Sequence, residues 1–197
     1  MPDVKILEQA ETDESEVPPE KTARWLTCLI EAIILLLAVT LIIVVRQSWL
    51  EPVEVTSGSM ENTLKKDDRV LLDHRASLAG SWKRGDIVMI DTENESWGED
   101  RVIKRIIGLP GETIQIFGGK TYVNGKPLSE NYLKETPEKQ DVPPILLGAD
   151  EYYVMGDNRN HSGDSRELGP VKASEIKGRA LRKLWPWGRL PQPDYGE

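Results

Sequence analysis

Apolar and polar residues are segregated along this chain into three blocks. Residues 1–24 hold seven acidic and three basic side chains, the pair Pro18-Pro19 and no aromatic residue. Such a segment buries too little apolar surface to offset the entropy of ordering it, and it reads as a disordered acidic tail. Residues 25–45, WLTCLIEAIILLLAVTLIIVV, are then apolar except at Thr27, Glu31 and Thr40. At about 1.5 Å per residue a helix of this length crosses a hydrocarbon core of about 30 Å. A helix apolar on every face needs a bilayer or a much larger protein around it, so the pattern predicts one transmembrane helix. A cleaved leader calls for a basic start, a shorter apolar run and small residues at the cut. Here the approach is acidic and the run continues into VVRQSWLEP, so the helix is expected to stay as an anchor. Glu31 lies close enough to one end to snorkel.

Beyond the span the period changes to that of β structure. Residues 86–90 (DIVMI) form a short apolar run of buried-strand length. Residues 113–117 (TIQIF) alternate, Gly118-Gly119 turns, 120–123 (KTYV) alternate again, and Asn124-Gly125 supplies a second hairpin turn. Residues 151–155 (EYYVM) are a further strand candidate, ended by Gly156-Asp157. No amphipathic helical stretch rivals these signals. Residues 134–144 (KETPEKQDVPP) read as an exposed loop. The 152 residues from 46 to 197 suffice for one packed domain, and the organisation is a mainly β domain hung from a single helix.

Composition removes whole classes of function. A net charge of −8 lacks the basic stripe that displaces counterions from nucleic acid. It also speaks against a polybasic hold on lipid. The single cysteine, Cys28, excludes an internal disulfide framework and a multi-cysteine zinc site, and the two histidines, His74 and His161, are too few for a histidine-rich metal centre. No metal or cofactor is therefore expected, and a nucleophilic side chain with a base is the simplest remaining chemistry.

Three segments carry candidates for it. Ser57-Gly58-Ser59-Met60 follows the span after eleven intervening residues; alone it is an ordinary turn sequence. In VIKRIIGLPGE (102–112) a lysine sits among Val102, Ile103, Ile106 and Ile107. Strand alternation places Val102, Lys104 and Ile106 on one face and Ile103, Arg105 and Ile107 on the other. If the face of Lys104 turns inward, desolvation lowers its pKa from about 10.4 and leaves a neutral amine able to act as a base. Periodicity by itself favours a plainer reading, an edge-strand lysine that discourages aggregation. The third segment, residues 155–166, is polar and punctuated by glycine, hence a loop. There Asp164 and Arg166 read either as a weak surface pair or as part of a site.

Taken together, SGSMENTL, RGDIVMI, VIKRIIGLPGE and GDNRNHSGDSRELGPV, in this order after a transmembrane helix, resemble the motif boxes of the bacterial type I signal peptidases. These are membrane-anchored Ser-Lys endopeptidases that remove signal peptides. The resemblance runs from the anchor to about Gly178. It implies Ser59 as nucleophile and Lys104 as general base. Ser57 would contribute its hydroxyl to an oxyanion hole, and Ser162 would hold the lysine amine. Asp164 and Arg166 would form a buried supporting pair, with Asp157 and Arg105 in the same support. Val55, Met60, Leu64, Ile103 and Met155 would line pockets for small residues at substrate positions −1 and −3. The family's fold has two antiparallel β-sheet subdomains, of which residues 112–150 would be a small second one.

The resemblance further implies a monomer in the bacterial plasma membrane with the tail cytoplasmic, the catalytic domain outside, and exported preproteins and membrane lipid as its partners. Thr56 and Asn62 stand where proline is common in the family, Val102 where an aromatic residue is frequent, and Arg101 where an acid often lies. None touches the Ser-Lys pair. Among other readings, a Ser-Lys self-cleaving repressor needs a DNA-binding module that this acidic, membrane-spanning chain does not offer; a Ser-His-Asp hydrolase based on His161 and a membrane-anchored β scaffold without catalysis remain open on the sequence.

Overall fold

The computed structural model describes residues 19–47, 49–80, 82–92, 97, 100–191, 193 and 195. The tail expected at 1–18 lies outside them. The chain divides into two units, Met1–Val45 and Arg46–Glu197.

In the first unit, helix α1 (Pro19–Gln47) is longer at both ends than the apolar run. Residues 19–24, read from the sequence as tail, are helical, because the intrahelical ladder does not stop where hydrophobicity stops. Proline at the start costs no bond there, since the first N–H groups have no partner in any case. From Arg24 to Val44 the mean hydropathy is 2.8 and none of the segment is buried, as a bilayer span requires. Two polar interruptions are satisfied within the helix: Thr27 Oγ1 donates to the Arg24 carbonyl (2.9 Å) and Thr40 Oγ1 to that of Leu36 (2.7 Å). Among the described residues this is the one helix long and apolar enough to cross a membrane.

The second unit is built on two antiparallel sheets. The larger comprises β1 (Leu50–Glu54), β2 (Arg69–Asp73), β3 (Ile87–Asp91), β4 (Arg101–Gly108), β9 (Glu151–Met155), β10 (Val171–Lys172), β11 (Ile176–Trp185) and β12 (Gly188–Arg189). Their order is β1-β2-β11-β3-β4-β9-β10, with β12 paired to β11. The smaller sheet has the order β7-β6-β5-β8, from β5 (Thr113–Phe117), β6 (Lys120–Val123), β7 (Lys126–Pro127) and β8 (Val142–Leu146). Two short helices, α2 (Arg75–Ala79) and α3 (Ser165–Leu168), complete the described elements that matter here.

The hairpins fall where the glycines predicted them. Asn124 (φ 51°) and Gly125 (φ 76°) both adopt positive φ, the conformation a two-residue hairpin turn demands. The loop expectation for 134–144 needs correction, since Val142, Pro143 and Pro144 belong to β8. β8 is an edge strand, and there a proline removes no ladder bond that a neighbour would have used.

Apolar side chains collect in three clusters. One, around Met60, Leu64, Val70, Leu72 and Met89, lies under the Ser57 turn. A second, around Val88, Ile90, Ile106 and Val154, underlies the middle of the larger sheet. A third joins Ile107, Tyr153 and Met155 to Ile114 and Ile116 of the smaller sheet. Arg84 staples the sheets together, with both terminal nitrogens on Glu112 (2.8 and 2.6 Å) and Nη1 also on the Ile107 carbonyl (2.6 Å). Burial raises the Glu112 carboxyl, but Arg84 and the Leu109 N–H outweigh it and hold the group below the usual carboxylate range.

Candidate active site

Strand β4 carries two adjacent cations that face opposite ways. Its register is set by β3, with Val88 opposite Lys104 and Ile87 opposite Arg105, and β9 takes over on the other side at Arg105, opposite Met155. Lys104 stands one residue short of the β9 pairing, yet it is not the solvated lysine of an exposed edge. It is 4% exposed, and its Nζ donates to Ser59 Oγ at 2.9 Å.

Ser59 sits in a tight turn that follows β1. The turn is closed by Glu61 N–H to Gly58 (3.2 Å) and by Thr63 and Leu64 N–H to the Met60 carbonyl (2.9 and 2.8 Å). The Ser57 and Ser59 hydroxyl oxygens are 3.3 Å apart. Asn158, which the sequence reading passed over, holds this turn twice. Its N–H donates to the Ser59 carbonyl and its Nδ2 to the Gly58 carbonyl, both at 3.0 Å. Gly156 is the second residue missed. A Cβ there would stand 2.5 Å from the Ser59 carbonyl oxygen and 2.3 Å from Ser162 Oγ, so only glycine lets the two loops approach.

Beneath the loop ion pairs are buried, among them Arg105–Asp157, Arg166–Asp164 and Arg159–Glu130. Arg105 binds Asp157 through Nε (2.8 Å) and Nη2 (2.7 Å), both side chains being wholly buried. Thr63 Oγ1 also donates to Asp157 Oδ2, and the ring of Tyr132 lies 4.2 Å from the guanidinium. Burial alone would lower the Arg105 pKa, but the bonds and charge of Asp157 reverse this and hold it above the ordinary arginine value. Arg166 binds both Asp164 oxygens (2.8 and 2.9 Å) and the carbonyls of Arg159 and Ser162 (2.6 and 3.1 Å). Asp164 in turn accepts the Gly156 N–H at 3.0 Å. The pair is buried and internal to the loop, not the weak surface pair that composition allowed.

One contact implied by the resemblance is not formed. Ser162 Oγ is buried without a hydrogen bond, because it rests against Gly156 in the space that a side chain would fill, and does not hold the Lys104 amine here. The side chain of His161 is 73% exposed and pairs at 3.8 Å with Glu135.

The expected pocket residues divide. Val55, Met60 and Ile103 line a cavity of about 170 Å³ beside Ser59, together with Val53 and Met89, which the sequence reading did not include. Leu64 packs behind it in the Met60 cluster, and Met155 lies in the cluster shared with the small sheet.

A serine bonded to a buried lysine, on an antiparallel β domain preceded by an apolar helix, is the arrangement the motif order implied. The family described as signal peptidase, peptidase S26, matches residues 26–185. The chain belongs to this family. Similar proteins include signal peptidase I of Leptolyngbya laminosa, 39% identical over 169 residues, covering 81% of this chain and 82% of that protein. Signal peptidase I of Bacillus amyloliquefaciens is 35% identical over 181 residues, 87% of this chain and 95% of the other. Signal peptidase I T of Bacillus subtilis is 35% identical over 193 residues, 92% and 98% respectively. As a member of the signal peptidase family the chain is a membrane-associated serine endopeptidase.

Proposed function

We propose that this signal peptidase cuts signal peptides from exported preproteins with Ser59 as nucleophile and Lys104 as general base. The observation that carries the reading is the 2.9 Å bond between Ser59 Oγ and a lysine Nζ in a side chain only 4% exposed. Burial disfavours an ammonium, and a neutral amine at hydrogen-bond distance can take the hydroxyl proton. Oγ then adds to the carbonyl carbon of substrate residue −1. Lys104 passes its proton to the departing amine, and a water activated by the same amine hydrolyses the ester. The Ser57 hydroxyl and the Ser59 N–H stabilise the oxyanion. Val55, Met60 and Ile103 form the wall for small side chains at −1 and −3, and Leu64 and Met155 support it from behind. The catalytic domain works outside the plasma membrane as a monomer, with the tail in the cytoplasm.

The test uses detergent-solubilised full chain and a preprotein, with the new N-terminus sequenced. Cleavage after a small residue is expected, and none with Ser59→Ala; cleavage by that variant overturns the reading. The 170 Å³ cavity has to take the −3 side chain as well, so replacing Ala by Phe at −1 crowds it, a penalty of about 1–3 kcal/mol. The rate is expected to fall about 5- to 150-fold; equal rates would remove Val55, Met60 and Ile103 from the pocket.

Ser57→Ala is expected to lower kcat by about 10²–10³, the usual loss for one oxyanion donor. An unchanged turnover number would leave Ser57 as a turn residue only.

A further inference from the structure

Ser57 and Ser59 stand on a wall shared by two cavities of different character. The smaller has an apolar floor of Val53, Val55, Met60, Met89 and Ile103. On the other side lies a cavity of about 550 Å³, in which Ser59 and Lys104 are joined by Lys134, Asn158, His161 and Gly163. Lys104 lines the second cavity.

A peptide bond presented to Ser59 Oγ must send its two halves in different directions. The acyl half, with the small −1 residue, takes the apolar side in the reading above, on which this inference rests. The amine half then leaves on the side of Lys104. That is where the proton it needs is held: the C–N bond breaks, the nitrogen takes the proton from the Lys104 ammonium, and the acyl carbon stays on Oγ.

The far wall of this cavity is built, not a loose flap. Lys134 N–H donates to the Asp157 carbonyl (3.4 Å), Glu138 N–H to Asn160 Oδ1 (2.8 Å), Asn160 Nδ2 to the Thr136 carbonyl (3.3 Å), and Arg166 Nη1 to Gln140 (3.2 Å). Lys134 Nζ is fixed on Glu61 at 2.7 Å, whose carboxyl that bond holds below its ordinary range. The loop between β7 and β8 is thus tied to the turn of the nucleophile and to the loop behind it.

We propose that the larger cavity is the leaving-group subsite, which takes the first residues of the mature chain, with Lys134 as the charge that reads them and Gly163 as the opening that admits them.

Gly163 offers the test, because a Cβ added there meets nothing within 4 Å and its φ is not positive. Gly163 also lines the cavity, so Gly163→Phe adds a large side chain at its wall without backbone strain. Two substrates share the same −1 and −3 residues; one continues for four residues past the scissile bond, and the other carries a small ester there. In Gly163→Phe the ratio of kcat/KM, peptide over ester, is expected to fall about tenfold or more, the scale of loss in an overpacked site. A ratio equal to that of the unmodified enzyme overturns the proposal.

In Lys134→Glu, the ratio for peptides with Lys against Asp at the second position after the bond is expected to rise at least about threefold, as reversal of a half-exposed charge allows. No change overturns the role of Lys134. Ester cleavage that survives Ser59→Ala overturns the Ser-Lys reading and this proposal with it, so the two failures are told apart.

Discussion

Lys104→Arg is expected to be as inactive as Lys104→Ala, with kcat lowered by about 10²–10⁴, the usual contribution of a positioned base. Arginine keeps the positive charge and much of the length, but in a protein it does not give up its proton. A role as a fixed charge next to Ser59 would survive the change; a role as proton acceptor would not. His161→Ala is expected to retain most of the activity, since its ring is exposed and pairs with Glu135.

The pH profile separates the bases further. A lysine base is active in its deprotonated form, so the rate rises with pH through the pKa of Lys104. With a histidine base that rise would vanish with His161. Cleavage rates of Lys104→Arg, Lys104→Ala and His161→Ala from acid to alkaline pH decide the matter. An active arginine variant, or a folded but dead His161→Ala, sinks the Ser59–Lys104 pair.

Asp157→Ala is expected to destabilise the protein by about 3–5 kcal/mol, since it strands the wholly buried Arg105 guanidinium. For a domain of this size that lowers Tm by roughly 6–20 °C. The double variant Arg105→Met, Asp157→Leu is expected to regain most of the stability, because an apolar pair of similar volume often replaces a buried ion pair without loss. It is not expected to regain activity. Asp157 fixes the backbone from which Asn158 holds the carbonyls of Gly58 and Ser59. Thermal unfolding and turnover measured on the same samples separate the two roles. A fully active double variant would reduce the pair to a packing element.

The parts of this fold that were legible in the sequence are those in which one residue pattern meets one environment. The helix was legible because its residues are apolar on every face, and the 113–127 hairpins because alternation and turn glycines agree. β11 was not, since Ile176, Gly178 and Ala180 are buried while the end from Leu181 is largely exposed and pairs with β12, so no single period runs through it. β1 was hidden by Pro52 and its two glutamates at a sheet edge.

At the site, Lys104 was conspicuous only through its apolar neighbours, and periodicity alone pointed to an edge. Asn158 gave no signal at all. Its contribution is one N–H and one amide aimed at two carbonyls a hundred residues away, and local sequence records neither. Ser162 was legible by motif, yet its hydroxyl lies against Gly156 and not on the lysine.

The back-to-back placement of Lys104 and Arg105 limits how this chain can change in length. A shift of β4 by one residue against β3 would bring either the guanidinium to the serine and Ile106 to Asp157, or the amine to Asp157 and Ile103 to the serine. Either way an isoleucine takes the place of one cation, so the Ser59 contact is lost and the buried pair is broken. Insertions or deletions between Ile87 and Arg105 therefore endanger chemistry and stability together, unless they come in compensating pairs or are absorbed by the connection between β3 and β4. The hairpins of the smaller sheet carry no such reading frame, so the domain has its freedom to grow there.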